Sequence, residues 1–98
     1  MKLQKLKTEN SVNRALRHSR RDKSKTYILF TSPWDKRSSA VRDYIKDLGS
    51  QETVFEVSYF DVPESYTNFK VQPGTLVRLQ NDSVVVYPGL NAVKIELN

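Results

Sequence analysis

Ninety-eight residues make one domain rather than two, with a single modest core, since a chain of this size buries only about 60–65% of the surface it exposes when unfolded. Lys and Arg number 16 against 11 Asp and Glu, a net charge of +5, and cysteine is absent. Disulfides, thiol catalysis, iron–sulfur clusters and thiolate zinc sites are thereby excluded, and with His18 as the one imidazole so is a multi-histidine metal centre.

In chain order, residues 1–7 read as an edge strand or a flexible start, and residues 8–25 as a basic helix and its connection. Thr8 is the expected N-cap, with Glu9 in the first turn and Ser11 as a rival cap. Val12, Ala15, Leu16 and Ser19 recur at helical spacing as a short buried stripe, which leaves Arg14, Arg17, His18 and Arg21 on the opposite face. Arg20, Lys23 and Lys25 extend that charge into a polar connection. Thr26–Thr31 (TYILFT) is an unbroken β-forming run without alternation, as a central parallel strand covered on both faces requires. Ser32-Pro33-Trp34-Asp35 then starts a helix, with Ser32 as cap, Pro33 in the first position and Asp35 completing an acidic capping box. Its apolar face is Trp34, Val41, Tyr44, Ile45 and Leu48, and Gly49 is its stop.

Thr53–Phe60 (TVFEVSYF) is the next strand, with Phe55, Val57 and Tyr59 on one face and Val54, Glu56, Ser58 and Phe60 on the other. One or two helical turns are expected in Asp61–Phe69. Thr75–Gln80 and Ser83–Tyr87 form an antiparallel hairpin through Asn81-Asp82, and Leu90–Leu97 closes the chain as a short helix. The element order predicts an α/β fold, a mixed central sheet sandwiched between helices with a C-terminal β-hairpin, in a single domain spanning 1–98. No apolar run exceeds four residues, so no membrane-spanning segment and no signal-peptide core is expected, and the default location is the cytoplasm.

The stretch Phe30-Thr-Ser-Pro-Trp34-Asp35-Lys36-Arg37-Ser38 resembles the active-site turn of thioredoxins, in which an apolar strand ends in Phe and leads to a small residue, any residue, Trp, Cys, two residues and Cys. Trp34 stands in the family's Trp position, Asp35 where the nucleophilic cysteine falls and Ser38 where the second one falls. Val57–Val62 is similar to the family's third strand with its following Asp, and residues 74–85 to its final hairpin. Gly89 stands where the family has a Gly before the last helix. The likeness spans residues 3–97 and implies a thioredoxin-like three-layer α/β/α sandwich. The family's cis-proline precedes a Thr, whereas here the run is Val71-Gln72-Pro73-Gly74-Thr75. Either Pro73 is that proline with Gly74 inserted, or Gly74 occupies its place.

Thiol–disulfide exchange requires a thiolate, which neither Asp35 nor Ser38 supplies. No other catalytic set emerges, no cofactor is implied, and the three glycines are too dispersed to cradle a phosphate. The resemblance therefore implies a scaffold kept for shape, a protein-binding subunit or adaptor in a larger assembly; a small basic protein of this kind also suits a virus-encoded component, in which case the virion is its location. The expected partner surface is Trp34, Asp35, Lys36 and Arg37 with Pro73 and Gly74, although Asp35 equally reads as a plain helix cap and Trp34 as a cover over the core. A second expectation concerns charge. Residues 1–25 hold nine bases and two acids, while residues 26–98 hold seven and nine. The stripe Arg14, Arg17, His18, Arg20, Arg21, Lys23 and Lys25 is either a solvated face or a surface for an acidic protein or a nucleic acid. Phe55, Tyr59 and Phe60 are read as core, not as a base-stacking platform.

Overall fold

In the computed structural model, residues 1–22, 25–64, 69–80 and 83–98 are described, those from 19 to 22 as backbone only. The fold grows around Thr26–Thr31 (β2), which is buried at all six positions. Such a strand needs a neighbour along each edge and cover over each face. On one edge it pairs in parallel with Thr53–Ser58 (β3), placing Ile28 beside Phe55 and Leu29 beside Glu56. On the other it runs antiparallel to Thr75–Gln80 (β4), with Ile28 beside Val77. Lys2–Lys5 (β1) lies parallel to β3, so the chain start is an edge strand. Ser83–Pro88 (β5) completes the hairpin with β4. The result is a mixed five-stranded sheet in the order β1-β3-β2-β4-β5.

Alternation along the strands divides the core in two. Ile28, Phe30, Val57, Val77 and Leu79 point to the side covered by Val12 and Ala15 of the helix Glu9–Asp22 (α1), joined by Leu6 and Val62. Tyr27, Leu29, Val54 and Leu76 point to the other, under Val41 and Ile45 of the helix Lys36–Asp47 (α2) and Val93 of the helix Leu90–Leu97 (α3). Each fully buried Ile, Leu, Val or Phe contributes about 1.5–3 kcal/mol through removal of its surface from water. This is the expected three-layer α/β/α arrangement.

Local details follow the sequence with several corrections. Thr8 caps α1 as expected, accepting from the Ser11 amide at 3.1 Å, and Ser11 returns the contact by accepting from the Thr8 amide at 3.2 Å. The two candidate caps are thus halves of one reciprocal box. The cap of α2 is Asp35, not Ser32: its carboxylate accepts from the amides of Arg37 and Ser38, and the helix starts at Lys36. Ser32 and Pro33 lie in the preceding turn, which closes when the Asp35 amide donates to Ser32 O. At the far end α2 stops at Asp47 with Leu48 in extended conformation, so Gly49 plays no left-handed capping role. Strand β3 ends at Ser58 instead of Phe60. The amides of Asp61 and Val62 both return to Ser58 O, which turns the chain out of the sheet and leaves Tyr59 and Phe60 at the surface rather than in the core. Pro63 and Glu64 are helical, while residues 65–68 of the expected helical turns and the Asn81-Asp82 connection lie outside the described residues.

The C-terminal helix is latched to the sheet by charge. Glu96 accepts from the Tyr27 hydroxyl at 2.7 Å and from Arg78 at 2.9 Å. Burial pushes the Glu96 carboxyl up, but hydrogen bonds from Tyr27, Tyr87 and Arg78 outweigh it and hold the group below its usual value of 4.5. Burial first, then donation to Glu96, pushes Tyr27 above the ordinary phenol range. A carboxyl with a depressed folded value stabilises the fold above its unfolded value, and that contribution disappears as pH falls through the folded one. A phenol with a raised value acts in the opposite sense, and its contribution is lost as pH rises through and above the ordinary phenol range. Urea unfolding as a function of pH should accordingly show Glu96→Gln less stable than wild type at pH 7. The gap should narrow as the acidity passes below pH 4.5, the value Glu96 would have unfolded.

Candidate functional site

All three parallel strands end on one side of the sheet, and the turn after β2 lies there. Ser38, in the first turn of α2, is buried against that turn: its Oγ accepts from the Ser32 amide at 3.1 Å and lies 3.0 Å from Ser32 O and 2.9 Å from Asp35 O. The Asp35 carboxylate is engaged with two helix amides. The positions that would carry redox chemistry therefore form a closed hydrogen-bonded cap. Neither side chain is presented as a nucleophile.

Gly74 packs against the same helix start. A Cβ placed on it would lie 3.5 Å from the Ser38 amide nitrogen and from Ser38 Cα, and its φ of +88° favours glycine. Its amide donates to Phe30 O at 2.7 Å, and its carbonyl accepts from the Gly89 amide at 3.1 Å. Gly74, next to Thr75, is thus the residue of this run that packs on the start of α2, with Pro73 one position before it. Among the described residues every peptide bond is trans, Gln72–Pro73 included. Gly74 is itself buried, so it shapes the site without offering contact surface, whereas Pro73 and Arg37 line a shallow groove that runs to Val86 and Pro88 of β5.

What the turn exposes is aromatic. Trp34 is 71% exposed and Phe60 69% exposed, and the rings meet edge to face with centroids 5.9 Å apart. Trp34 does not cover the core. Phe60 was not foreseen as part of the site, because alternation along TVFEVSYF pairs it with buried Val54 and Glu56. The available signal was Asp61-Val62-Pro63, a turn and helix start immediately after it. Lys36 and Arg37, which follow on the same turn, are exposed as well.

The chain has a thioredoxin-like fold. Among solved structures similar to it, thioredoxin NaTrxh from Nicotiana alata superposes with a TM-score of 0.83 at 13% identity, covering 97% of this chain and 87% of that one. Reduced thioredoxin pre-protein from Schistosoma mansoni gives 0.79 at 16% identity, covering 98% and 93%. Thioredoxin O2 from Arabidopsis thaliana in its oxidised state gives 0.76 at 18%, covering 96% and 88%. No protein-family model and no curated protein matches the sequence. Unlike an oxidoreductase that works through a dithiol, this thioredoxin-like chain contains no cysteine, so thiol–disulfide exchange has no nucleophile in it.

The basic residues lie elsewhere. Because α1 runs antiparallel to the strands it joins, its start lies near the Trp34 end and its finish near the start of β2. Arg14, Arg17 and His18 are exposed along it, and Lys25 is exposed just before β2. The backbone of Arg20 and Arg21 continues the helix; their side chains, and Lys23, lie outside the described residues. Among the described residues the basic surface thus runs along α1 to Lys25 at the opposite end of the sheet from the aromatic pair.

One group that sequence reasoning passed over is Glu56. It sits in the middle of the sheet with its side chain 5% exposed, accepting from Arg42 Nε at 3.1 and 3.2 Å and from Thr31 Oγ1 at 2.9 Å. Lys5 lies directly across on β1. Glu56 fixes α2 to the sheet below the aromatic turn. Among the described residues, no helix is long and apolar enough to cross a membrane.

Proposed function

We propose that this protein is a non-catalytic, thioredoxin-like binding module that docks other proteins through Trp34 and Phe60, as a subunit or adaptor in a larger assembly. The observation that carries this reading is the exposed aromatic pair, set on the turn where the cysteine positions have become the closed Asp35–Ser38 cap. An edge-to-face pair left in water gains when a partner covers it, because Trp is among the strongest interface anchors and charged neighbours such as Lys36 and Arg37 supply a polar rim. Asp35 serves this site from behind, as the cap that holds the start of α2 in place.

A second reading, an acidic protein or nucleic-acid partner on α1, is favoured by the unbroken exposure of Arg14, Arg17 and His18. Affinity capture from the source organism distinguishes the two. Immobilised wild type, a Trp34→Ser/Phe60→Ser variant and an Arg14→Glu/Arg17→Glu variant are compared by mass spectrometry of what each retains. The binding-module reading predicts a protein retained by wild type and by the charge variant and lost with the aromatic variant. Retention lost only with the charge variant would overturn it. So would nucleic-acid binding whose affinity falls with salt at a log–log slope of about −0.9 per duplex phosphate contacted, unaffected by the aromatic changes.

A further inference from the structure

The two edges of the sheet are not equally protected. On β1, exposed Lys2 and Lys5 discourage another strand from pairing. The strand at the other edge, β5, reads Ser-Val-Val-Val-Tyr-Pro and carries no charge from Ser83 to Gly89. Its outer side meets no strand among the described residues. Cross-strand register places Val84 beside Leu79 and Val86 beside Val77, so both valines extend the apolar surface on the α1 side. Helix α1 does not reach them: Val84 is 55% exposed and Val86 44% exposed.

An open row of backbone donors and acceptors is completed by an extended backbone, which restricts the occupant to a strand. We propose that this strand is β5 of a second copy of the chain, in antiparallel pairing about a two-fold axis. The sequence is suited to itself. A two-fold axis perpendicular to the sheet pairs residues that share a face, and centred on Val85 it sets Val84 opposite the partner copy's Val86 and Val86 opposite its Val84. Ser83 then faces Tyr87. The four half-exposed valines become one patch, of the β-branched cross-strand kind that stabilises sheets, and no charged residue faces another across the seam. The two sheets join into one of ten strands, with the Trp34 turn of each copy left open.

Pairing along one short strand covers less than the about 1,200–2,000 Å² of a standard interface, so the dimer is weak and concentration-dependent. Each copy carries +5, so added salt should tighten association by screening repulsion, the reverse of its effect on phosphate binding. Sedimentation equilibrium of the full chain over a wide concentration range is the test. Wild type should pass from monomer to dimer, more readily at high salt. Val84→Lys/Val86→Lys should weaken dimerisation at least tenfold with an unchanged thermal midpoint, both positions being exposed. Mixing it with Val84→Glu/Val86→Glu should restore a mixed dimer, because each Lys then faces a Glu. A wild type that stays monomeric at every concentration would overturn the proposal, even if it bound a valine-rich peptide at β5. A dimer that survives the lysine changes, or is lost on Trp34→Ala instead, would do the same.

Discussion

Replacing Trp34 and Phe60 together by Ala should weaken the captured partner's binding at least ~30-fold while leaving the thermal midpoint within a few degrees of wild type. The size follows from the usual cost of truncating an interface hot spot, about 2 kcal/mol or more, at about 1.4 kcal/mol per factor of ten. Preserved stability follows from exposure, since surface substitutions away from special features usually stay within about ±0.5 kcal/mol. The single changes should not add. The rings touch edge to face, an arrangement worth about 0.5–1.5 kcal/mol beyond area, so each ring orients the other and removing either one takes away part of the second's contribution. Titration calorimetry of the four proteins in the cycle reads this directly. Additive losses would mean that the two residues act as separate contacts.

The largest effect on stability is expected at a pair far less conspicuous in the sequence. Arg42→Ala should destabilise the fold by about 2–3 kcal/mol, less than the about 3–5 kcal/mol of breaking a fully buried ion pair because Arg42 is 35% exposed while Glu56 is 5% exposed. For a domain of this size that corresponds to a fall in Tm of roughly 10–20 °C. The cause is not the lost attraction itself but the Glu56 carboxylate left in the sheet without its guanidinium, the Thr31 hydroxyl still donating to it. Changing both partners to apolar residues of similar volume, Arg42→Met with Glu56→Leu, should recover most of the loss, because the stranded charge is then gone. Differential scanning calorimetry of the single and double variants checks both statements. A single variant that unfolds at the wild-type temperature would show that water reaches Glu56 in place of Arg42.

Much of the architecture was legible because each element obeyed a local rule. TYILFT has no polar face, so it had to be central; Ser-Pro-Trp-Asp announces a helix; the 75–87 hairpin is two β-branched runs around a turn. Errors arose where tertiary contacts overruled such rules. Two residues of Ser-Pro-Trp-Asp offered a cap, and Asp35 took it: the Ser32 backbone is tied to Ser38 Oγ across the turn, and the Ser32 hydroxyl accepts from the Trp34 amide instead of a helix amide. Phe60 looked buried because period-two alternation cannot show where a strand ends. Which residue of Pro73-Gly74 meets the start of α2 was not legible either, since it depends on the packing of Gly74 against Ser38, a contact between distant parts of the chain. The Glu56–Arg42 pair joins residues 14 apart on a strand and a helix, a contact that no local pattern encodes. The site was therefore readable at Trp34 and its charged neighbours, and unreadable where it depends on the chain leaving the sheet.

The claim that this scaffold works through its aromatic turn is tested most directly by amide and indole NMR of the labelled protein as the captured partner is added. Trp34 (its Nε1–H included), Arg37, Phe60 and Gln72 should shift or broaden first, with α1 unaffected. Changes confined to Arg14, Arg17 and His18 would contradict it and place the partner on the basic helix.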